Sequence, residues 1–307
     1  MQAKTICKIL NKKLTEWVAT IKDESLAYEV KRDAIVTGGS ICSMLLGEPV
    51  NDFDVYFKTK ETAYRVAGYY CDEFIFNNKE LKHKDTKPFL PTPRYENIVN
   101  CKGKVEERVI IYIKSAGVVA EGMDEYKYFE QEPEEAAEEF AESLMTQEDN
   151  TKPKYRPVFI SQNAITLSDK MQIVIRFWGN PEEIHDNYDF VHATCYYDFQ
   201  ADKLVLKQEA LESMMSKTLI YRGSLYPMAS IFRTRKFLQR GWKISAGQQL
   251  KIMWQISELN LNEHEMLREQ LTGVDQAYMY QLINALKDTD PAKINSAYVA
   301  TIIDRIF

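Results

Sequence analysis

Apolar side chains recur at helical spacing at Ile6, Ile9, Leu10, Leu14, Val18 and Ile21, which predicts a first helix with one buried face. Leu26 to Val30 predicts a second, shorter helix. The β-branched run Ile35-Val36-Thr37 then reads as a strand, broken by Gly38-Gly39-Ser40. A short apolar helix follows through Leu46 and is ended by Gly47 and Pro49. Asp52-Phe53-Asp54 opens a second strand that continues through Val55, Tyr56 and Phe57. Beyond it the pattern predicts a helix over 61–70, a strand over 74–76, a loop over 82–98 punctuated by Pro88, Pro91 and Pro93, and a strand over 105–113.

Residues 119–156 break the pattern. The run EQEPEEAAEEFAESLMTQED has few large apolar side chains, so a solvated helix or a disordered insertion is expected, ending at Thr151-Lys152-Pro153-Lys154. It reads either as an acidic surface loop or as a nucleic-acid mimic that masks a cleft or binds a basic partner. Three strands are expected next, over 157–160, 164–167 and 172–177, then a short helix over 181–185. Alternation around Asp189 and again near Val205 predicts strand, turn and strand, which places Asp189 inside an apolar β element. A carboxylate there is costly unless paired or metal-bound. From Ala210 onward the pattern is helical, with a capping box at Asn262-x-x-Glu265 and a last helix starting at Asp290-Pro291.

The stretch from Ala34 to Phe57 carries the chemistry. Side chains alternate along a strand, so Asp52 and Asp54 project to one side about 7 Å apart. Two carboxylates that close repel each other unless a cation lies between them. A Mg²⁺-sized ion takes such oxygen ligands and bridges them to substrate phosphates. Gly38 and Gly39 let the backbone turn tightly toward a phosphate, with the amides of the following helix start as donors.

Composition changes this picture in three ways. At 307 residues and 45% hydrophobic, the chain can hold two domains with real cores. No run of eighteen apolar residues exists, so no transmembrane helix is expected, and the lysine-studded start reads as an amphipathic helix rather than a signal peptide. The five scattered cysteines include no CxxC pair, which fits a reducing cytoplasm and not a zinc site. The net charge of −6 conceals an asymmetry: residues 121–150 hold twelve acids and one lysine, a local −11, which leaves +5 on the rest. That permits a polyanionic substrate.

The order strand, Gly-Gly-Ser, helix, turn, Asp-x-Asp, strand resembles the DNA polymerase β-like nucleotidyltransferase superfamily. Within it the chain is most similar to tRNA nucleotidyltransferases (CCA-adding) and poly(A) polymerases. Gly38, Gly39, Leu45, Leu46, Gly47, Pro49, Asp52 and Asp54 fall on that family's Gly-Gly-x-Val-Arg-Asp-(Leu)₃-Gly-…-Asp-x-Asp pattern without a gap. The family's Arg-Asp after the glycines is here Cys42-Ser43. A second block, Asp189, Phe190, Tyr197 and Asp198, matches the family's Arg-Arg-Asp-Phe-…-Tyr-Asp segment, with both arginines replaced by Asn187 and Tyr188. Pro227 and Gly241 bracket a segment similar to the family's neck helix, rich in Arg233, Arg235, Lys236, Arg240 and Lys243. Residues 152–198 also resemble nucleotidyltransferases of tailed bacteriophages.

The resemblance implies an α+β fold: a nucleotidyltransferase head with a mixed β-sheet over 1–215, carrying the acidic insertion, then an all-α neck and body over 216–307. It implies transfer of a nucleoside monophosphate from an NTP to a hydroxyl, with release of pyrophosphate. Asp52, Asp54 and Asp189 would hold two Mg²⁺ ions, with Asp198 and Asp186 as the next candidates for the third acid. Gly38, Gly39 and Ser40 would cradle phosphates, and Arg233, Arg235 and Lys236 would be further nucleotide ligands. The expected acceptor is an RNA 3′ end of tRNA type, with no membrane partner. The phage likeness implies the host cytoplasm. Two alternatives stand beside it: a nucleotidyltransferase that modifies a protein or small molecule, and a degenerate head that binds nucleotide or a partner without turnover. His185 and His192 read as satisfied structural histidines. The residues leave open the base transferred, the number of additions and the oligomeric state.

Overall fold

A computed structural model describes residues 1–77, 90–99, 105–112, 118–120 and 153–261, with Met266, Gln270 and Ala297 besides. Most of the acidic insertion, the Asn262 capping box and the Asp290-Pro291 helix start lie outside the described residues.

The first helix, α1 (Ala3–Val18), buries Ile6, Leu10, Leu14 and Trp17 along the expected stripe. Helix α2 (Glu24–Asp33) is capped by the Asp23 carboxylate, which accepts the Leu26 N–H at 3.0 Å. Strand β1 (Ala34–Thr37) is buried along its whole length, as a central strand covered on both faces requires. Helix α3 (Gly39–Leu46) follows, then strand β2 (Phe53–Phe57) and helix α4 (Lys60–Asn77). The remaining strands are β3 (Thr92–Val99), β4 (Val105–Tyr112), β5 (Val118–Ala120), β6 (Pro157–Ser161), β7 (Ala164–Leu167), β8 (Met171–Trp178), β9 (Tyr196–Asp198) and β10 (Lys203–Val205). A short helix, α5 (Pro181–His185), starts at a capping box formed by Asn180 and Glu183. Helix α6 (Gln208–Ser216), strand β11 (Thr218–Leu219), helix α7 (Pro227–Gln239), strand β12 (Lys243–Ile244) and helix α8 (Ala246–Ser257) complete the described chain.

The α+β architecture rests on one eight-stranded mixed sheet in the order β10-β9-β1-β2-β8-β7-β6-β5. Every pairing in it is antiparallel except β2 with β8. Pairing of β1 with β2 sets Val36 opposite Val55, so the next step brings the end of β1, and the glycine turn after it, beside Asp54. Phe57 and Val55 are fully buried in the core under these strands, with Ile6, Leu10, Trp17 and Phe74 packed in the same cluster. No helix among the described residues is long and apolar enough to cross a membrane.

Four expectations are corrected. Residues 74–76 are not a strand; α4 runs through Asn77, because Val66, Ala67, Tyr70, Cys71 and Phe74 form one helical buried face. The proline-rich 82–98 stretch is only partly loop: its described end is β3, paired with β4 from Thr92↔Tyr112 to Val99↔Val105. Pro93 is tolerated because β3 is an edge strand. The chain after Ala210 is not purely helical, since β11 and β12 form a short parallel pair. Finally, Asp189 is not in a strand. It sits in a bend after α5, before an isolated bridge between Phe190 and Tyr221 and a single 3₁₀ turn at Val191–Ala193.

Candidate functional site

A cavity of about 380 Å³ opens where β1, β2, β8 and α7 meet. Gly38, Gly39, Asp54, Gln172, Asp189 and Arg233 supply its polar lining, and Phe177, Phe190 and Phe237 supply ring faces. Gln172 is the register partner of Asp54 across the parallel β2–β8 pair, which explains why both reach the same space.

Gly38 ends β1 at φ +99°, a conformation that side-chain-bearing residues rarely adopt. A Cβ on it would lie 2.9 Å from Asp54 Oδ2 and 3.5 Å from the Tyr188 hydroxyl. The turn is therefore built so that bare backbone passes over the Asp54 carboxylate. Its N–H is anchored to the Ala193 carbonyl at 3.2 Å. Gly39 begins α3 with nothing within 4 Å of its own missing side chain. Gly38→Ala should destabilise the fold by about 1–3 kcal/mol of backbone and contact strain and so lower the melting temperature, whereas Gly39→Ala should leave melting unchanged. Thermal melts of the two variants check this, and equal melting would refute the close-approach role of Gly38.

Asp54 is half-buried, and burial first, the charge of Asp52 second, push its carboxyl well above the usual carboxylate range. Both influences act against the ionised form, and a bound cation would reverse them. Asp52 lies just before β2 and outside the cavity lining. The pair has the hard oxygen donors that Mg²⁺ accepts. Among the described residues no group of three or more His, Cys, Asp or Glu side chains gathers closely enough to hold a metal.

The third acid is placed differently from Asp54. Asp189 is buried, and its Oδ2 accepts from Arg233 on α7 while its Oδ1 has no hydrogen-bond partner among the described residues. The ion pair reaches across the cavity wall from the loop after α5 to α7. Of the three basic residues singled out on that helix, Arg233 alone lines the cavity; Arg235 and Lys236 are exposed on other faces. Ser40 is buried in the first turn of α3, its hydroxyl without a hydrogen-bond partner among the described residues, and lies outside the lining. Asp198 is engaged elsewhere, with Lys58 at 2.8 Å and the Ala201 N–H at 3.1 Å. Asp186 is largely exposed and 4.0 Å from Arg222.

The two histidines differ from each other. His185 is fully buried, its Nε2 2.8 Å from the Thr37 hydroxyl and its Nδ1 3.1 Å from Lys207 Nζ. Thr37 Oγ1 donates to the Cys195 carbonyl at 2.9 Å, so Nε2 carries the proton and Nδ1 accepts from lysine. This network pins the last residue of β1 directly before the glycine turn, a positioning role that no sequence pattern marks. His192 lines the cavity and is not satisfied by hydrogen bonds: neither ring nitrogen has a partner among the described residues. Its ring instead packs against Phe237 and Trp242, each with centroids 4.5 Å away.

Burial, then nearby Lys207 and Arg222, lowers His185 from 6.5 to about 3, and burial, then Arg240, lowers His192 equally. Both are neutral when folded and take up a proton on unfolding below about pH 6.5. The stability they contribute is therefore complete above that pH and lost as pH falls toward 3. Asp54, raised in the folded state, works in the opposite sense. The carboxyls of Asp33, Glu48 and Asp202, lowered in the folded state, act with the histidines, so the melting temperature should fall across pH 6.5 to 3. A flat profile there would contradict the buried neutral histidines.

Known structures overlap this chain at low similarity. A Thermotoga maritima CCA-adding enzyme complexed with tRNA matches with a TM-score of 0.37 and 11% identity, covering 93% of this chain and 58% of that one. A CCA-adding enzyme with CTP matches with a TM-score of 0.38 and 14% identity, covering 95% and 49%. Likeness at this level leaves the question of activity to the site itself. A Bacillus phage SPbetaL7 protein named Gabija anti-defense 2 is 24% identical over 123 residues, 39% of this chain. The matched stretch spans only 31% of that relative's length. The family model described as Gad2, Gabija anti-defense 2 family protein, matches residues 8–217, and with them the β1 turn, Asp52, Asp54 and Asp189. Spanning more than half of the chain, that match shows that this protein belongs to the Gabija anti-defense 2 family.

Proposed function

We propose that this protein is a Mg²⁺-dependent nucleotidyltransferase that moves a nucleoside monophosphate from an NTP to an acceptor hydroxyl. The observation that carries the reading is the passage of the Gly38 backbone over the Asp54 carboxylate at the mouth of a nucleotide-sized cavity. In the reaction the acceptor oxygen bonds to the α-phosphorus, the bond to the β-phosphate oxygen breaks, and pyrophosphate leaves. The glycine turn offers bare backbone to the phosphates, and the N-terminus of α3 adds its first-turn amides. The rings of Phe190 and Phe237 present flat apolar faces to the base. Arg233, lining the same space, can turn from Asp189 toward a bound triphosphate. Asp52 and Asp54 would hold Mg²⁺, with Asp189 free to join them only once Arg233 has turned away from it; bound there, the metal would favour deprotonation of the acceptor hydroxyl and offset charge on the phosphates.

For the acceptor, an RNA 3′ hydroxyl of tRNA type is the reading that the motif resemblance supports, with the division into a head over 1–215 and a helical part over 216–307. The family's name favours a second reading, in which the acceptor is a component of the Gabija defence and modification disables it in the host cytoplasm. One experiment separates the two. The four α-labelled NTPs are incubated with Mg²⁺ and either bulk tRNA or purified Gabija components. Label on tRNA supports the first, label on the defence components supports the second, and no pyrophosphate release with any acceptor refutes nucleotidyl transfer.

A further inference from the structure

His192 is a polar side chain of the cavity wall that the rest of the fold does not use. It is 1% exposed, and both ring nitrogens are buried without a hydrogen-bond partner among the described residues. Such burial is costly, and an apolar ring of similar size would fill the place without that cost. The surroundings are aromatic. The imidazole packs on Phe237 and Trp242 and stacks on Phe190, with 6.0 Å between centroids and 24° between planes. The Nε1–H of Trp242 is likewise buried and unpartnered among the described residues, so the two rings meet without a hydrogen bond. Phe190, His192 and Phe237 line the cavity, and Trp242 stands outside its lining.

The backbone fixes His192 relative to the glycine turn. The residue lies in the 3₁₀ turn Val191–Ala193, where the Ala193 carbonyl accepts the Gly38 N–H at 3.2 Å. The other end of that turn is held by the Val191 N–H, which donates to the Ile220 carbonyl at 3.0 Å. On α7, Arg233 and Phe237 are four positions apart and therefore share one helix face about a turn apart, and both line the cavity. Phosphates drawn to Gly38 and Arg233 leave the base of the same nucleotide toward Phe237 and His192.

A neutral imidazole offers one N–H donor and one acceptor nitrogen, and here neither is engaged. Burial, with Arg240 nearby, keeps the ring uncharged. An uncharged ring suits an uncharged heterocycle, whose edge carries both donors and acceptors, and it gives no electrostatic hold on a phosphate. The faces of Phe190 and Phe237 would accept any base by stacking. A hydrogen bond made inside a wall closed to water instead depends on what the base edge presents, because a mismatched base leaves a buried nitrogen unpaired.

We propose that His192 reads the base of the bound nucleotide, through a hydrogen bond from its imidazole to the base edge. Calling the ligand a nucleoside triphosphate rests on the reading of the cavity given above. The test is calorimetric titration of the full chain, with Mg²⁺ and no acceptor, using ATP, CTP, GTP, UTP and inorganic triphosphate. The wild type should bind the four nucleotides unequally, and the favoured one more tightly than inorganic triphosphate. His192→Phe should bind the favoured nucleotide about tenfold more weakly, the scale of one hydrogen bond to a buried polar group, and should lose the preference. Its affinity for inorganic triphosphate should stay unchanged. The same variant should melt at or above the wild-type temperature, because two buried unpaired nitrogens are removed. If the phenylalanine ring does not fit and melting falls, His192→Val, with a smaller apolar side chain, carries the same comparison. A wild type without preference overturns the proposal. So does a preference retained in the variants, or an equal loss of nucleotide and inorganic triphosphate binding. His192-dependent preference in a protein that releases no pyrophosphate with any acceptor keeps the base contact and rejects the transfer reading. Pyrophosphate release with the preference intact in the variants does the reverse.

Discussion

Asp54→Asn should reduce nucleotidyl transfer by about a hundredfold or more, the scale of loss when one charge-stabilising contact is removed from an active site. Asparagine is nearly the same size, so the strand and the Gly38 contact should survive. What changes is charge. Asp54 is held by burial and by Asp52 in a setting that opposes its ionised form, and an amide cannot answer a cation there. The variant should therefore melt at or above the wild-type temperature without Mg²⁺, and lose the upward shift that Mg²⁺ gives the wild type. Asp52→Asn should follow the same pattern. Pyrophosphate release and melts with and without Mg²⁺ check both outcomes. Near-wild-type turnover in either variant would remove the pair from the catalytic centre.

The second large effect is expected at the Asp189–Arg233 pair. Arg233→Gln strands a carboxylate whose side chain is 4% exposed, and breaking a fully buried pair costs about 3–5 kcal/mol. The guanidinium side is 40% exposed, so solvent screening reduces the expected loss to about 1–3 kcal/mol. Asp189→Asn should be milder, because an amide oxygen still accepts from Arg233. A double-mutant cycle should return a coupling of about 0.5–3 kcal/mol, as expected for residues in direct contact. If Asp189 acts instead as a metal ligand, Asp189→Asn should leave melting without Mg²⁺ unchanged and weaken the Mg²⁺ response. A loss of stability independent of Mg²⁺ assigns it to the pair with Arg233.

The local elements around the site were legible without any structure. Ile35-Val36-Thr37, the Gly-Gly break and the apolar run to Leu46 form β1, its turn and α3 as the pattern predicts. The three expected strands over 157–177 are β6, β7 and β8. Their periods are set by which face is buried, a property that each short segment carries by itself. The errors came where tertiary contacts override the local pattern. Tyr188, Asp189 and Phe190 alternate like a strand, but each meets a different neighbour: the Tyr188 ring packs on Tyr56, Asp189 pairs with Arg233, and Phe190 packs on Phe237. Phe74 and Phe76 read as β because two aromatics flank a β-branched residue, yet Phe74 completes a helical face that began at Thr62.

The sequence by itself determined that a glycine turn and an Asp-x-Asp strand lie next to each other, because both belong to one continuous run of two dozen residues. Only the tertiary structure decided what else meets them. Gln172 arrives beside Asp54 through a parallel pairing from more than a hundred residues away, and His185 locks Thr37 from 148 positions along the chain. Arg233 crosses 44 positions to answer Asp189. Such partners are selected by burial: a carboxylate or imidazole removed from water needs a specific neighbour, and no local periodicity says which distant side chain will supply it.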